Sequence, residues 1–225
     1  MTVLHLADEG EAADLAAFLS RLIHYDRGAA VRLQAFGTAL AVFGRPPSFE
    51  VLAVRAVRLA KPYENGLDVA LDVTVSAGEL LESVDESALT VGVPAAVTGP
   101  PWAGVLPPRG GWQSENGLPA PDALYALVRA GVAEFRSRTQ ELTPEGRTRA
   151  ELDRIGREIW SRTVGRTRLP VRAVHAAQSL GFLRPGVPVT LVVAGAWQRL
   201  RTPYGSIAVR RAGLGGLGAL DVSVR

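Results

Sequence analysis

Residues 99–121 constrain the fold most, because Gly99, Pro100, Pro101, Trp102, Gly104, Pro107, Pro108, Gly110, Gly111, Trp112, Gly117, Pro119 and Pro121 crowd into one stretch. No helix runs through that density of proline and glycine. The 225-residue chain must therefore build its regular structure in two flanking segments. Two tryptophans argue against a free linker, since burying each is worth about 2–3 kcal/mol. The segment reads as a strap lying on a surface, or as a lid carried by Trp102, Arg109 and Trp112.

Before the strap, the pattern is α+β. Thr2 to Leu6 reads as a strand, and Glu11 to Tyr25 as a helix with Leu15, Phe18, Leu19 and Leu22 on one face and Asp8 as N-cap. Val31, Leu33 and Ala35 alternate with Arg32 and Gln34, and Gly37-Thr38 turns the chain into a second strand, Ala39 to Phe43. Phe49 to Leu59 is a further strand. Arg55 and Arg58 break its alternation, so a bulge or bent end is expected. Leu67 to Val75 alternates cleanly, and Ser76 with Glu79 forms a capping box for a short helix, Ala77 to Val84.

After the strap come two amphipathic helices, Asp122 to Gln140 with Asp122 as N-cap, and Thr148 to Val164. Pro170 opens a third helix, ending near Leu183 before Arg184-Pro185-Gly186. Val187 to Val193, Trp197 to Arg201 and Ser206 to Arg210 form an antiparallel β-meander. The expected fold is thus α+β, with a mixed or antiparallel N-terminal sheet and packed helices, then C-terminal helices and the meander. Residues 1–98 and 122–225 are two units, or one continuous domain, strapped by 99–121. A helix followed by a hairpin recurs at 11–25 and 170–183, with low residue identity; chance is the simpler account.

Charge is sorted along the chain. Residues 1–110 carry eight basic and thirteen acidic side chains, a net of −5, whereas 111–225 carry seventeen and nine, a net of +8. Arg168, Arg172, Arg199, Arg201, Arg210 and Arg211 are the candidate contacts for an anion or nucleic acid. Three helices followed by a β-ribbon is also the order of a winged-helix DNA-binding unit. The competing reading pairs these arginines with the acidic N-terminal half or with another copy. Lys61 is the single lysine beside 24 arginines, a bias that a GC-rich genome also produces.

No motif names a reaction. Gly213, Gly215 and Gly218 have dinucleotide-loop spacing but only seven residues follow, too few for the helix and acidic residue such a site requires. His5, His24 and His175 lie in no ligand pair, and Asp68 with Asp72 most simply face water. Ser179, one turn from His175, lacks a nucleophile elbow. With no cysteine, a thiolate site is excluded. No catalytic, metal or cofactor residue is expected, and no export signal or span of about 20 apolar residues is found, so a cytoplasmic address is expected.

At Leu106-Pro107-Pro108-Arg109-Gly110-Gly111-Trp112, Ile159-Trp160-Ser161-Arg162, Ala177 to Leu183 and Trp197 to Arg210, the chain resembles an uncharacterised family of actinobacterial proteins. That resemblance spans most of 100–211. It implies a cytoplasmic protein of unknown role and supplies no catalytic residues. The sequence favours a non-enzymatic binding or regulatory protein with an unknown protein partner or a second copy; nucleic-acid binding through the basic unit is the alternative, and a pocket beneath the tryptophan segment a third.

Overall fold

A computed structural model describes residues 2–46, 49–63 and 70–211. The chain begins with β1 (Val3–His5) and α1 (Glu9–Tyr25), then a meander of β2 (Ala30–Phe36), β3 (Ala39–Gly44) and β4 (Leu52–Arg58). β5 (Leu71–Ser76), α2 (Ala77–Glu82), β6 (Val84–Asp85) and β7 (Thr90–Gly92) follow. Beyond the strap and the short β8 (Gln113–Ser114) come α3 (Pro121–Gln140), α4 (Arg149–Trp160), α5 (Val171–Ser179), and a second meander, β9 (Thr190–Ala194), β10 (Trp197–Thr202) and β11 (Gly205–Arg210). The expected α+β class is borne out.

Local chemistry explains the element ends. The Asp8 carboxylate accepts from the Glu11 amide, Ser76 from Glu79 and Thr148 from Glu151, each filling an orphan donor of a first turn. The cap expected at Asp122 is displaced. Pro121 occupies the first helical position, where its missing N–H costs nothing, and Ala120 becomes the N-cap without a side-chain bond.

All pairing is antiparallel in an eight-stranded sheet ordered β5-β2-β3-β4-β11-β10-β9-β8, with β1, β7 and β6 forming a small second sheet. The order reads alike from both ends. Each half is a three-strand meander preceded by a helix, and the two meet where Val54, Ala53 and Leu52 face Ser206, Ile207 and Ala208. The recurrence at 11–25 and 170–183 therefore has a structural counterpart, α1 and α5 occupying matching places. Their sides of the sheet form one core: Phe18 and Leu22 of α1, Val174 and Ala177 of α5, and Leu33, Leu40, Val57, Leu200 and Ile207 from the strands are all buried. Phe18 and Phe182 touch across it, ring centres 5.4 Å apart.

The irregularity expected in β4 is a charge, not a bulge. Its register with β3 runs unbroken from Ala39 opposite Arg58 to Gly44 opposite Ala53. Arg55 points into the helix-covered face because Glu11, 2.6 Å away, and Asp14, 3.6 Å away, neutralise it there. The glycine series at 213–218 and Asp68 lie outside the described residues.

Candidate functional site

The other face of the large sheet carries the site. Along β10 the side chains alternate, so Gln198 and Leu200 enter the core while Trp197, Arg199 and Arg201 project from the opposite face. Register places Arg210 directly across from Trp197, Ala208 from Arg199 and Ser206 from Arg201. The strap crosses this face. A 3₁₀ turn, Pro101–Gly104, seats Trp102, and with Leu106 it covers Phe43, Leu52, Val54 and Ala208 beside Trp197. The chain then adds β8 to the sheet edge beside β9.

Between the strap and the sheet lies a hollow of about 290 Å³ floored by Ala39, Ala41, Phe43, Val54 and Ala56. Pro107 and Pro108 wall one side, and Gln34, Arg109 and Arg199 supply its polar atoms. Arg199 Nε donates to Ser206 Oγ at 2.8 Å, and its guanidinium lies 5.7 Å from the ring centre of Trp112. The Trp112 indole N–H in turn donates to the Pro108 carbonyl at 3.0 Å, so the strap's own turn fixes that ring. Burial, with Arg201 nearby, lowers the Arg199 pKa from the ordinary guanidinium value.

Ion pairs engage part of the arginine set. On this face Arg32 is held by Asp72, whose carboxylate it keeps below the usual range, and donates to the Ala103 carbonyl of the strap; on the helical side Arg55 and Arg58 bind Glu11, Arg184 binds Asp14, and Arg138, Arg154 and Arg162 bind glutamates of α3 and α4. Among the described residues, Arg109, Arg199, Arg201 and Arg210 form no ion pair. Such guanidiniums offer paired donors to carboxylate or phosphate and a flat face to an aromatic ring.

The candidates from the sequence thus divide. Arg199, Arg201 and Arg210 share the open face, and Arg211 lies beside them, donating to the Gly195 carbonyl at the β9–β10 turn. Arg168 is exposed in the turn before α5, and Arg172 lies in α5 with Glu50 3.8 Å away, on the helical side. The six do not converge. Trp102, Arg109 and Trp112 all belong to the strap beside the hollow. Trp197 was missed as a site residue, although its place two positions before Arg199 puts it on the same strand face.

The ribbon is also not a wing. β11 pairs with β4, which locks the meander into the sheet, and Val171, Ala173, Val174, Ala176 and Ala177 of α5 are buried, leaving little of that helix for a groove.

This architecture is an α+β protein with an open antiparallel sheet. Residues 1–104 match the family model described as Domain of unknown function (DUF8010), and residues 107–214 match Domain of unknown function (DUF8185). The expected resemblance to an uncharacterised family is borne out. No curated protein matches the sequence. Among solved structures, the DNA polymerase sliding clamp from Pseudomonas aeruginosa is similar at 13% identity and a TM-score of 0.46, covering 88% of this chain and 62% of that chain. This chain therefore spans less than two thirds of the clamp subunit. No described helix is long and apolar enough to cross a membrane.

Proposed function

We propose that the protein is a non-enzymatic binding protein that engages an acidic protein partner through the strap-side face of its sheet. The observation that carries this reading is the set of guanidiniums without counter-ions, Arg199, Arg201 and Arg210, on one rigid strand pair beside Trp197. A partner carboxylate supplies the missing charge, and the apolar hollow accepts a neighbouring side chain. The non-enzymatic part is supported by the hollow's lining, in which Gln34, Arg109 and Arg199 are the polar members and none is a general base at neutral pH.

Retention on immobilised polyglutamate over a salt series tests it. Wild type is expected to bind at low salt, and Arg201→Ala/Arg210→Ala to elute early; no retention of wild type refutes the reading. Nucleic acid is the second reading, favoured by Trp112 and Trp197 beside the same arginines, since bases stack on such rings. Preference for a single-stranded oligonucleotide over polyglutamate, with binding falling steeply in salt, selects it.

A further inference from the structure

A second cleft, of about 650 Å³, opens on the helical side between α4 and α5, closed at one end by Phe49 and Glu50 ahead of β4. It lies within the range of about 300–1,000 Å³ that small molecules fill. Its walls are aromatic. The Trp160 and His175 rings lie 4.4 Å apart between centres with planes 31° apart, Phe49 meets His175 edge-on at 5.0 Å, and Phe135 lines the α3 side.

Residue choice keeps the cleft open. A Cβ at Gly156 would sit 3.6 Å from Trp160 and 3.7 Å from Phe135, ordinary contact distances, so a methyl group fits there and glycine nonetheless leaves the space empty. On α3, a Cβ at Gly131 would lie 2.8 Å from the Trp160 ring; glycine lets the indole rest against the helix. Glu50 holds a positive φ of 51°, a region that side chains other than glycine avoid.

One cation of the cleft is incompletely satisfied. Arg172 Nε is buried without a hydrogen-bond partner, and the ion pair of this side chain with Glu50 is long, 3.8 Å, with a carboxylate that is 65% exposed. Arg149 pairs with Asp153 at 3.6 Å, so the lining carries one cation more than its two carboxylates, Arg157, which forms no ion pair among the described residues. Burial holds His175 below the ordinary imidazole value, so it offers a neutral ring to an incoming one.

We propose that this cleft binds a small planar aromatic molecule bearing one anionic group, its ring among Trp160, Phe135 and Phe49 and its anion on Arg172. An arginine fork pairs bidentately with such an anion, and the aromatic side chains that line the cleft offer contact to a flat body. The site shares no residue with the strap-side face. Its success or failure is therefore independent of that reading.

Calorimetric titration of the full chain with 2-naphthoate and with its neutral analogue 2-naphthamide tests the assignment. 2-Naphthoate is expected to bind with a dissociation constant of about 0.1 mM, and the amide about tenfold more weakly. Arg172→Gln should erase that difference, and Gly156→Leu should abolish binding of both. Arg201→Ala/Arg210→Ala should bind 2-naphthoate as wild type does. No 2-naphthoate binding at millimolar concentration, equal affinity for the two probes, or full affinity in Gly156→Leu overturns the proposal. If Gly156→Leu melts early, the acid-to-amide ratio in wild type and Arg172→Gln decides alone.

Discussion

Arg55 Nη2 lies 2.6 Å from Glu11 Oε2, a pair buried between β4 and α1 in which the arginine side chain is 5% exposed. Its Nη1 donates to the Tyr204 carbonyl at 3.1 Å, so one guanidinium ties the first helix to the last β-turn. Arg184, paired with Asp14 and stacked 3.4 Å over the Tyr204 ring, repeats the link.

Glu11→Ala should be among the most damaging single changes, costing about 3 kcal/mol, because it strands a buried cation with only Asp14 at 3.6 Å. Urea unfolding checks this. Glu11→Leu/Arg55→Met removes both charges together and is expected to cost clearly less than the two single changes summed.

His175 gives the pH dependence. Burial lowers its folded pKa beneath the unfolded value of about 6.5, so the unfolded chain binds the proton more readily. Stability attributable to this ring is then complete above the unfolded pKa and falls as pH drops below it. Urea midpoints at pH 7.5 and 5.5 should differ more in wild type than in His175→Gln; equal differences would remove His175 as the cause.

Gly131→Ala pits helix propensity against packing. Alanine favours the helix by about 1 kcal/mol, whereas its methyl would meet the Trp160 ring at 2.8 Å, an overpacking cost of about 1–3 kcal/mol. A net loss of about 1 kcal/mol and an altered tryptophan emission are expected in a thermal melt followed by fluorescence.

Trp102 pins the strap. Trp102→Ala should release residues 99–112 from Phe43, Leu52 and Val54, at a cost of about 2 kcal/mol. Trypsin should then cut after the exposed Arg109 well before wild type is cleaved there. Unchanged cleavage would show that β8 and Pro107 hold the strap without the indole.

Much of this fold was legible locally. The hairpin of β2 and β3 and the clean alternation of β10 announced themselves, because a sheet with one face on a core writes period two into its sequence. The caps at Asp8 and Ser76 were equally plain. Arg55 was not: an inward arginine looks like a break in the pattern until Glu11, 44 residues earlier, is brought beside it. The pairing of β4 with β11 was invisible for the same reason, since neither strand carries a mark of a partner about 150 residues away. At the strap-side face, the shared side of Arg199 and Arg201 could be read from spacing. Which arginines keep counter-ions could not, because that depends on the path of the acidic helices in space.

The seam between β4 and β11 makes each meander the missing neighbour of the other. Cut within the strap, either piece would be left with a bare strand edge, and the first piece with a buried guanidinium deprived of the Tyr204 carbonyl. Produced separately, 1–104 and 107–211 should do poorly alone and recover structure when mixed, which would turn this chain into a reporter split along its own axis of resemblance.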